Sequence, residues 1–176
     1  MSHHSLSDLL DEYDRALAYT ASLVADLSDA ELTWRPDDAS SAIAWHLGHQ
    51  AAVAHYMVRN LTAAEPRIDP EIDAVMDSAT QVSDRGDLPD VERLMAYRAT
   101  VAERVHFRVG NIDDGNVGAP AQLRQIATTM LTAIINHEYQ HSKWIGEVRV
   151  DAHRKTLPPE PHSDRLTTIE GYVLIG

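Results

Sequence analysis

Residues 137–141 read HEYQH, the order His-Glu-X-X-His that zinc peptidases place on a helix. His137 and His141 are one helical turn apart, so both imidazoles can reach a single ion from the same face. On a wheel of 100° per residue that starts at Ile126, both histidines and the apolar residues of the helix fall within one arc of about 80°. The pair therefore predicts a divalent-metal site inside the fold, and such a site needs at least one further ligand.

The segment WHLGHQAAVAH, residues 45–55, supplies the candidates for that ligand. On a wheel that starts at Ile43, His46 lies near the edge of the apolar stripe and His49 lies further round, so helical geometry alone favours His46. The chain has no cysteine, which excludes disulfides, iron–sulfur clusters, thiolate zinc sites and a cysteine nucleophile. Histidine is therefore the natural ligand for a transition metal here.

Four long helices are needed to position these histidines. Periodic apolar residues predict them at about 6–27, 41–62, 89–109 and 120–150. The simplest architecture that buries four amphipathic faces is an all-α four-helix bundle. Between the second and third helices, residues 64–88 are rich in proline, glycine and acids, and predict a long connection that contains one short helix.

The length of 176 residues predicts a single bundle domain, residues 1–150, followed by a tail, residues 151–176. The tail begins as an irregular segment and ends in the apolar stretch GYVLIG. It could pack on the bundle, form a short strand, or pair with a second subunit. Because the apolar end and the alanine-rich helix faces offer surface for self-association, we expect a homodimer.

Charge and hydropathy limit the partners and the location. With 27 acidic and 15 basic residues, the formal charge of −12 repels a phosphate backbone, so nucleic-acid binding is not expected. No stretch approaches the roughly 20 apolar residues of a membrane span, and the N-terminus lacks the order of a signal peptide. We therefore expect a cytoplasmic protein that acts on a small molecule, without a nucleic-acid or membrane partner.

Two segments together resemble a known family. The order ELTWRPDDASSAIAWHLGH, a long gap, and then HEYQHSKWIGEVR resembles the DinB-like family of metal-binding four-helix bundles, which is related to bacillithiol and mycothiol transferases. The resemblance runs from the first helix to about Arg149 and leaves the tail outside. It implies a divalent ion, most often zinc or nickel with iron as an option, bound by one histidine of the second helix and the pair on the fourth.

The family pattern places the second-helix ligand at the later histidine, which here is His49. The resemblance thus implies the set His49, His137 and His141, and leaves His46 as a supporting residue or an alternative ligand. Mycothiol-dependent maleylpyruvate isomerases are also similar, but they tend to have glutamate at the position of His137. Histidine at position 137 therefore makes maleylpyruvate isomerase activity a poorer match, while the predicted metal site is unaffected.

The resemblance also implies an activity. In these relatives a small thiol such as mycothiol or bacillithiol binds the metal as thiolate and attacks an electrophile, and Arg149 would help to bind that thiol. Glu138 and His46 are the candidate catalytic groups, because Glu138 is about 100° from His137 on the wheel and could reach a metal-bound water.

Other functions remain open. A metal-containing binding or stress-response module without turnover is one, and a metal-dependent hydrolase in which Glu138 or His46 handles the proton is another. A peptidase fits poorly, because the downstream candidates for a third ligand lie on the same helix or in the proline-broken tail. No predicted sheet could hold a peptide in extended form.

Overall fold

A computed structural model describes residues 4–62 and 65–176 of the chain. Within these ranges the elements are α1 (Leu6–Val24), α2 (Asp29–Thr33), α3 (Ile43–Leu61), α4 (Pro70–Val75), a 3-10 helix (Val82–Gly86), α5 (Val91–Asp113), α6 (Pro120–Asp151), β1 (Leu166–Ile169) and β2 (Tyr172–Ile175). Residues 1–3 and 63–64, where the predicted domain and the predicted connection begin, lie outside the described residues.

The four long helices, α1, α3, α5 and α6, form the predicted all-α four-helix bundle, and the predicted fold class is confirmed. Each helix contributes fully buried aliphatic side chains to one core, for example Leu9, Val58, Val105 and Leu131. The longest helix, α6, packs against the other three. Among the described helices, none combines the length and the apolarity that crossing a bilayer requires.

Two helix ends differ by three or four residues from the sequence-based boundaries. Helix α1 ends at Val24, because Ser28 starts α2 with a capping box in which the Ser28 hydroxyl accepts from the Glu31 amide and the Glu31 carboxylate accepts from the Ser28 amide. Helix α5 continues past the predicted end to Asp113, since Ile112 beyond Gly110 is fully buried and that burial outweighs the low helix propensity of glycine.

The connection between α3 and α5 folds onto the bundle. Asp69 caps α4 by accepting hydrogen bonds from the amides of Glu71 and Ile72, both at 3.1 Å. Ile72 and Met76 are fully buried, so α4 and the residue after it are anchored in the core. This packing brings the backbone around Met76 next to α3 and thus next to the histidines.

The tail forms a β-hairpin that packs on the bundle of the same chain. Glu170 and Gly171 join antiparallel β1 and β2 and both have positive φ, 53° and 80°, as a type I′ turn requires. The amide of Ile175 donates to the side-chain oxygen of Asn136 at 2.8 Å, and Arg165 forms ion pairs with Asp8 and Glu12. The hairpin is therefore attached to both α1 and α6.

Candidate metal centre

Three histidines from two helices converge inside the bundle. His49 lies on α3, and His137 and His141 lie one turn apart on α6. One ring nitrogen from each of the three lies within 4.8 Å of the other two. The structure thus brings together the three residues that the family resemblance implies as ligands, and this group could hold a metal ion.

The ring of His49 is fixed by the connection. Its Nδ1 donates to the carbonyl oxygen of Met76 at 2.6 Å, which leaves Nε2 without a proton and available to an ion. The Trp45 ring stacks on the imidazole with 4.5 Å between centroids and 13° between planes. The guanidinium carbon of Arg85 lies 3.8 Å from the Trp45 ring centroid. Two parts of the connection, Met76 and Arg85, therefore hold this candidate ligand in place.

His46 contacts the site but stands outside the group of three. Its Nδ1 lies 2.8 Å from Nδ1 of His141, so one of these two nitrogens donates to the other. When His141 donates, its Nε2 is the nitrogen left for an ion, and the hydrogen bond fixes the orientation of the ring. The helical wheel favours His46 as a ligand. In the structure, His46 instead contacts His141 through this hydrogen bond and does not belong to the group of three.

Burial keeps the four imidazoles neutral. It lowers the pKa of His46 and of His137 to about 4 and the pKa of His141 to about 2, with further lowering from the neighbouring histidines. Burial also lowers the pKa of His49, although its hydrogen bond to Met76 acts in the opposite direction. Neutral imidazole is the form that binds a metal, so the donors are ready at pH 7 without losing a proton.

The donor set fits a divalent transition metal. Two nitrogens on one ion with bonds of about 2.0–2.1 Å are at most about 4.2 Å apart, so small side-chain rotations would bring all three onto one ion. Imidazole suits zinc, nickel and iron alike. Three protein ligands also leave at least one coordination position open, which is the pattern of reactive sites more than of purely structural ones.

Aromatic and small residues surround the histidines. Trp144 packs edge-on against His141 with 4.7 Å between centroids, and Trp45 covers His49. Gly48 permits the close approach of the connection, because a Cβ at this position would lie 2.5 Å from the sulfur of buried Met76. A low-polarity wall strengthens electrostatic interactions at the site, and the glycine allows Met76 to reach His49.

Glu138 points into a different part of the bundle. Its carboxylate forms a buried ion pair with Arg98 of α5 and accepts a hydrogen bond from the Thr20 hydroxyl at 2.6 Å. Arg98 also donates to the Leu47 carbonyl oxygen and to Oε1 of Gln50, both at 3.1 Å. The catalytic role predicted for Glu138 stays a prediction, and these contacts favour a structural one.

The guanidinium of Arg149 is also fully engaged in contacts within the chain. Its guanidinium donates to both carboxylate oxygens of Asp26, at 2.5 and 3.2 Å, and to the carbonyl oxygens of Leu23 and Thr156, at 2.9 and 2.8 Å. These bonds join α6 to the end of α1 and to the tail. The binding of a thiol cofactor by Arg149, which the resemblance implies, stays a prediction.

Three residues that contact the histidines or the residues next to them, namely Met76, Arg85 and Arg98, were not identified from the sequence. Met76 and Arg85 lie in the connection, which carries no motif, and Met76 acts through its backbone, so nothing in the sequence marks them. Arg98 did leave a signal. It lies one turn after Leu94 and nearly one turn before Val101, on the buried stripe of α5, and a charged residue on such a stripe indicates a buried partner.

Comparison with known proteins agrees with the geometry. The model of the DinB superfamily matches residues 12–145, which is most of the chain and includes all three histidines. The chain belongs to the DinB superfamily. The resemblance drawn from the two sequence segments is thus confirmed, and the DinB match ends before Arg149 and the hairpin. No curated protein gives a significant match to the chain.

Proposed function

We propose that this DinB protein is a metal-dependent transferase that activates a low-molecular-weight thiol, such as mycothiol or bacillithiol, for transfer to a small electrophile. The observation that carries the proposal is the group of three histidines, His49, His137 and His141, whose ring nitrogens converge closely enough to hold one metal ion. Three protein ligands would leave that ion at least one open coordination position. A divalent ion bound there would lower the pKa of a coordinating thiol and make it a nucleophile near neutral pH.

The chain itself supplies two further conditions for this chemistry. It has no cysteine, so no protein thiol competes with the small thiol for the ion. His49 is held by Met76 and Trp45, and His141 is held by His46 and Trp144, so these two candidate ligands need little rearrangement when a substrate arrives. Such preorganisation supports catalysis as well as binding.

A cavity of small-molecule size lies about one turn along α3 from His49, and none of His49, His137 and His141 lines it. It has a volume of about 510 Å³, within the range of small-molecule sites, and lies between α3 and the connection. It shares Met76 with the ligand His49, and Ala52 in its wall is three residues after that ligand on α3. Arg67 and Asp73 bring both signs of charge to its lining. We propose this cavity for the electrophile or the body of the thiol.

The experiment that tests the function uses untagged protein loaded with zinc, nickel or iron(II). Each form is incubated with a panel of low-molecular-weight thiols and a generic electrophile, and the His141→Ala variant is the matched inactive control. Thiol-dependent product that disappears in the variant is the expected result. Elemental analysis of the purified protein identifies the metal.

Two other results would replace the proposal. Ester or amide cleavage that needs metal but no thiol would indicate a hydrolase. The ion pairing of Glu138 with Arg98 disfavours that carboxylate as the base and leaves His46 as the candidate that handles the proton. Stoichiometric metal with no turnover in either assay would indicate a non-catalytic binding or stress-response module.

The assembly and location follow as further proposals. We propose a homodimer in the cytoplasm, where small thiols are kept reduced. Phe107, exposed over 71% of its surface on α5, is the kind of apolar side chain that a partner subunit would cover. Light scattering at micromolar concentration measures the mass, and a monomer would contradict the dimer.

A further inference from the structure

We propose that Arg98 is a positioning residue that holds the two ligand-bearing helices, α3 and α6, at the spacing the metal site requires. This inference rests on the proposed metal-dependent function, because it concerns the same three histidines. Arg98 lies on α5, which carries none of the three. Its side chain is buried, with only 8% of the residue exposed.

The contacts of Arg98 lie next to the ligands in the sequence. One terminal nitrogen donates to the Leu47 carbonyl oxygen and to Oε1 of Gln50, both at 3.1 Å, and Gln50 directly follows the ligand His49. The other terminal nitrogen pairs with the carboxylate of Glu138, which directly follows the ligand His137. One guanidinium therefore joins both helices one residue away from a ligand on each.

A second bond closes the arrangement. Nε2 of Gln50 donates to the backbone carbonyl oxygen of Glu138 at 2.8 Å, so α3 and α6 are also joined directly at this level. Both ends of the Gln50 amide are thus used, one by Arg98 and one by α6. The Glu138 carboxylate also accepts from Thr20 of α1. All four long helices meet here, and the relative height of α3 and α6 is specified by directional bonds.

Stability alone is a poor explanation for such a group. A buried ion pair recovers little more than its desolvation cost, and well-packed apolar residues of similar volume usually stabilise a fold as well or better. Apolar packing, however, tolerates small shifts of one helix along another, whereas a planar guanidinium with three partners does not. Convergent ligands demand that precision, because displacements of a few tenths of an ångström already disturb coordination.

The test measures cobalt(II) binding, using the visible absorption of the bound ion as a probe of ligand geometry. It compares the wild type with Arg98→Lys, Arg98→Met and the double variant Arg98→Met/Glu138→Met. Arg165→Met is the matched control, since it removes a guanidinium from another fully buried carboxylate, Glu12, far along the chain from any ligand. All spectra are taken well below the melting temperature of each variant.

We expect the double variant to recover most of the thermal stability that Arg98→Met loses, because it removes the unpaired buried carboxylate. It should still bind cobalt(II) roughly tenfold or more weakly, with an altered spectrum, as when groups supporting metal ligands are removed. Arg98→Lys should restore part of the affinity. Arg165→Met should lower the melting temperature and keep the wild-type affinity and spectrum.

Wild-type affinity and spectrum in the double variant would overturn the inference and make the ion pair merely structural. Equal weakening by Arg165→Met would overturn it too, since any loss of stability would then suffice. His141→Ala separates these results from a failure of the proposed function. If the wild type binds no more cobalt(II) than His141→Ala does, the metal site itself is wrong, and the inference falls with it.

Discussion

His137 and Glu138 are neighbours in the sequence and lie in two different interiors of the same bundle. His137 joins an uncharged group of imidazoles, walled by tryptophans and held by a backbone carbonyl. Glu138 joins a charged network with Arg98, Thr20 and Gln50. The 100° between consecutive residues of a helix is enough to separate a neutral site from an ionic one.

Under the proposed function, the difference teaches how one helix serves two purposes. A metal site in low-polarity surroundings needs neutral donors that do not repel the ion, and burial provides them by lowering the pKa of His141 to about 2. A network that fixes helix positions needs fully paired charges, because an unpaired buried charge is costly. In the motif HEYQH, the charged Glu138 of the network therefore lies between His137 and His141, the two neutral donors.

The largest effect is expected from removing a ligand. His49→Ala and His141→Ala should each abolish stoichiometric zinc or nickel binding, because two imidazoles do not make a tight site. His46→Ala should retain metal with roughly 10–100-fold weaker affinity, since it removes only the group that orients His141. Titration with a chromophoric metal indicator measures this. His106→Ala, at an exposed histidine paired with Asp14, is the control. Complete metal loss in His46→Ala alone would return the ligand role to His46.

A second large effect is expected in the charged interior. Glu138→Ala should lower the free energy of unfolding by about 3–5 kcal/mol, because it leaves the Arg98 guanidinium buried without its carboxylate. Urea denaturation of the metal-free protein measures this loss. Unchanged stability together with complete loss of turnover would break the comparison, since Glu138 would then belong to the reacting group.

A smaller effect is expected where the connection touches α3. Gly48→Ala should cost about 1–3 kcal/mol and weaken metal binding, because the new methyl group displaces Met76 and the carbonyl oxygen that holds His49. Gly110→Ala is the matched control, since a Cβ there meets nothing within 4 Å and should stabilise α5 by up to about 1 kcal/mol. Equal metal affinity in both variants would show that Met76 does not position the ligand.

A further effect is expected in the dependence of stability on pH, and it is spread over more than two pH units. Burial lowers the pKa of His46 to about 4, so between roughly pH 6.5 and 4 the unfolded chain binds a proton at this residue and the folded chain does not. The free energy of unfolding of the metal-free protein should therefore fall as the pH is lowered through this window. His46→Ala should reduce that slope by at most about 1.4 kcal/mol per pH unit. An unchanged slope would mean that His46 titrates normally in the fold.

Much of the fold follows from local patterns in the sequence. Apolar residues at helical spacing predict the four long helices, and the spacing of His137 and His141 places both imidazoles on the buried face of α6. Helix ends are harder to predict than helices, because the capping box at Ser28 ends α1 early and the burial of Ile112 extends α5. The position of a helix end depends on whether a local bond or a long-range contact is stronger. The periodicity of apolar residues carries no information about that balance.

The choice between His46 and His49 shows most clearly what a sequence pattern cannot predict about the site. An ideal wheel places His46 nearer the apolar stripe, yet the structure groups His49 with the pair on α6. The angle at which two helices cross, and the path of the connection that brings Met76 to His49, decide which side chain converges. Neither can be derived from one helix alone.

By itself, the sequence determined the helical class, the number of long helices, the absence of thiol ligands and the pair of α6 histidines, because each depends on residue type or local spacing. Tertiary structure alone decided that Glu138 turns to Arg98, that Arg149 is occupied by Asp26, and that the tail lies on its own bundle as a hairpin. These outcomes depend on residues distant in the chain competing for one partner, and only the packed helices decide which contact is made.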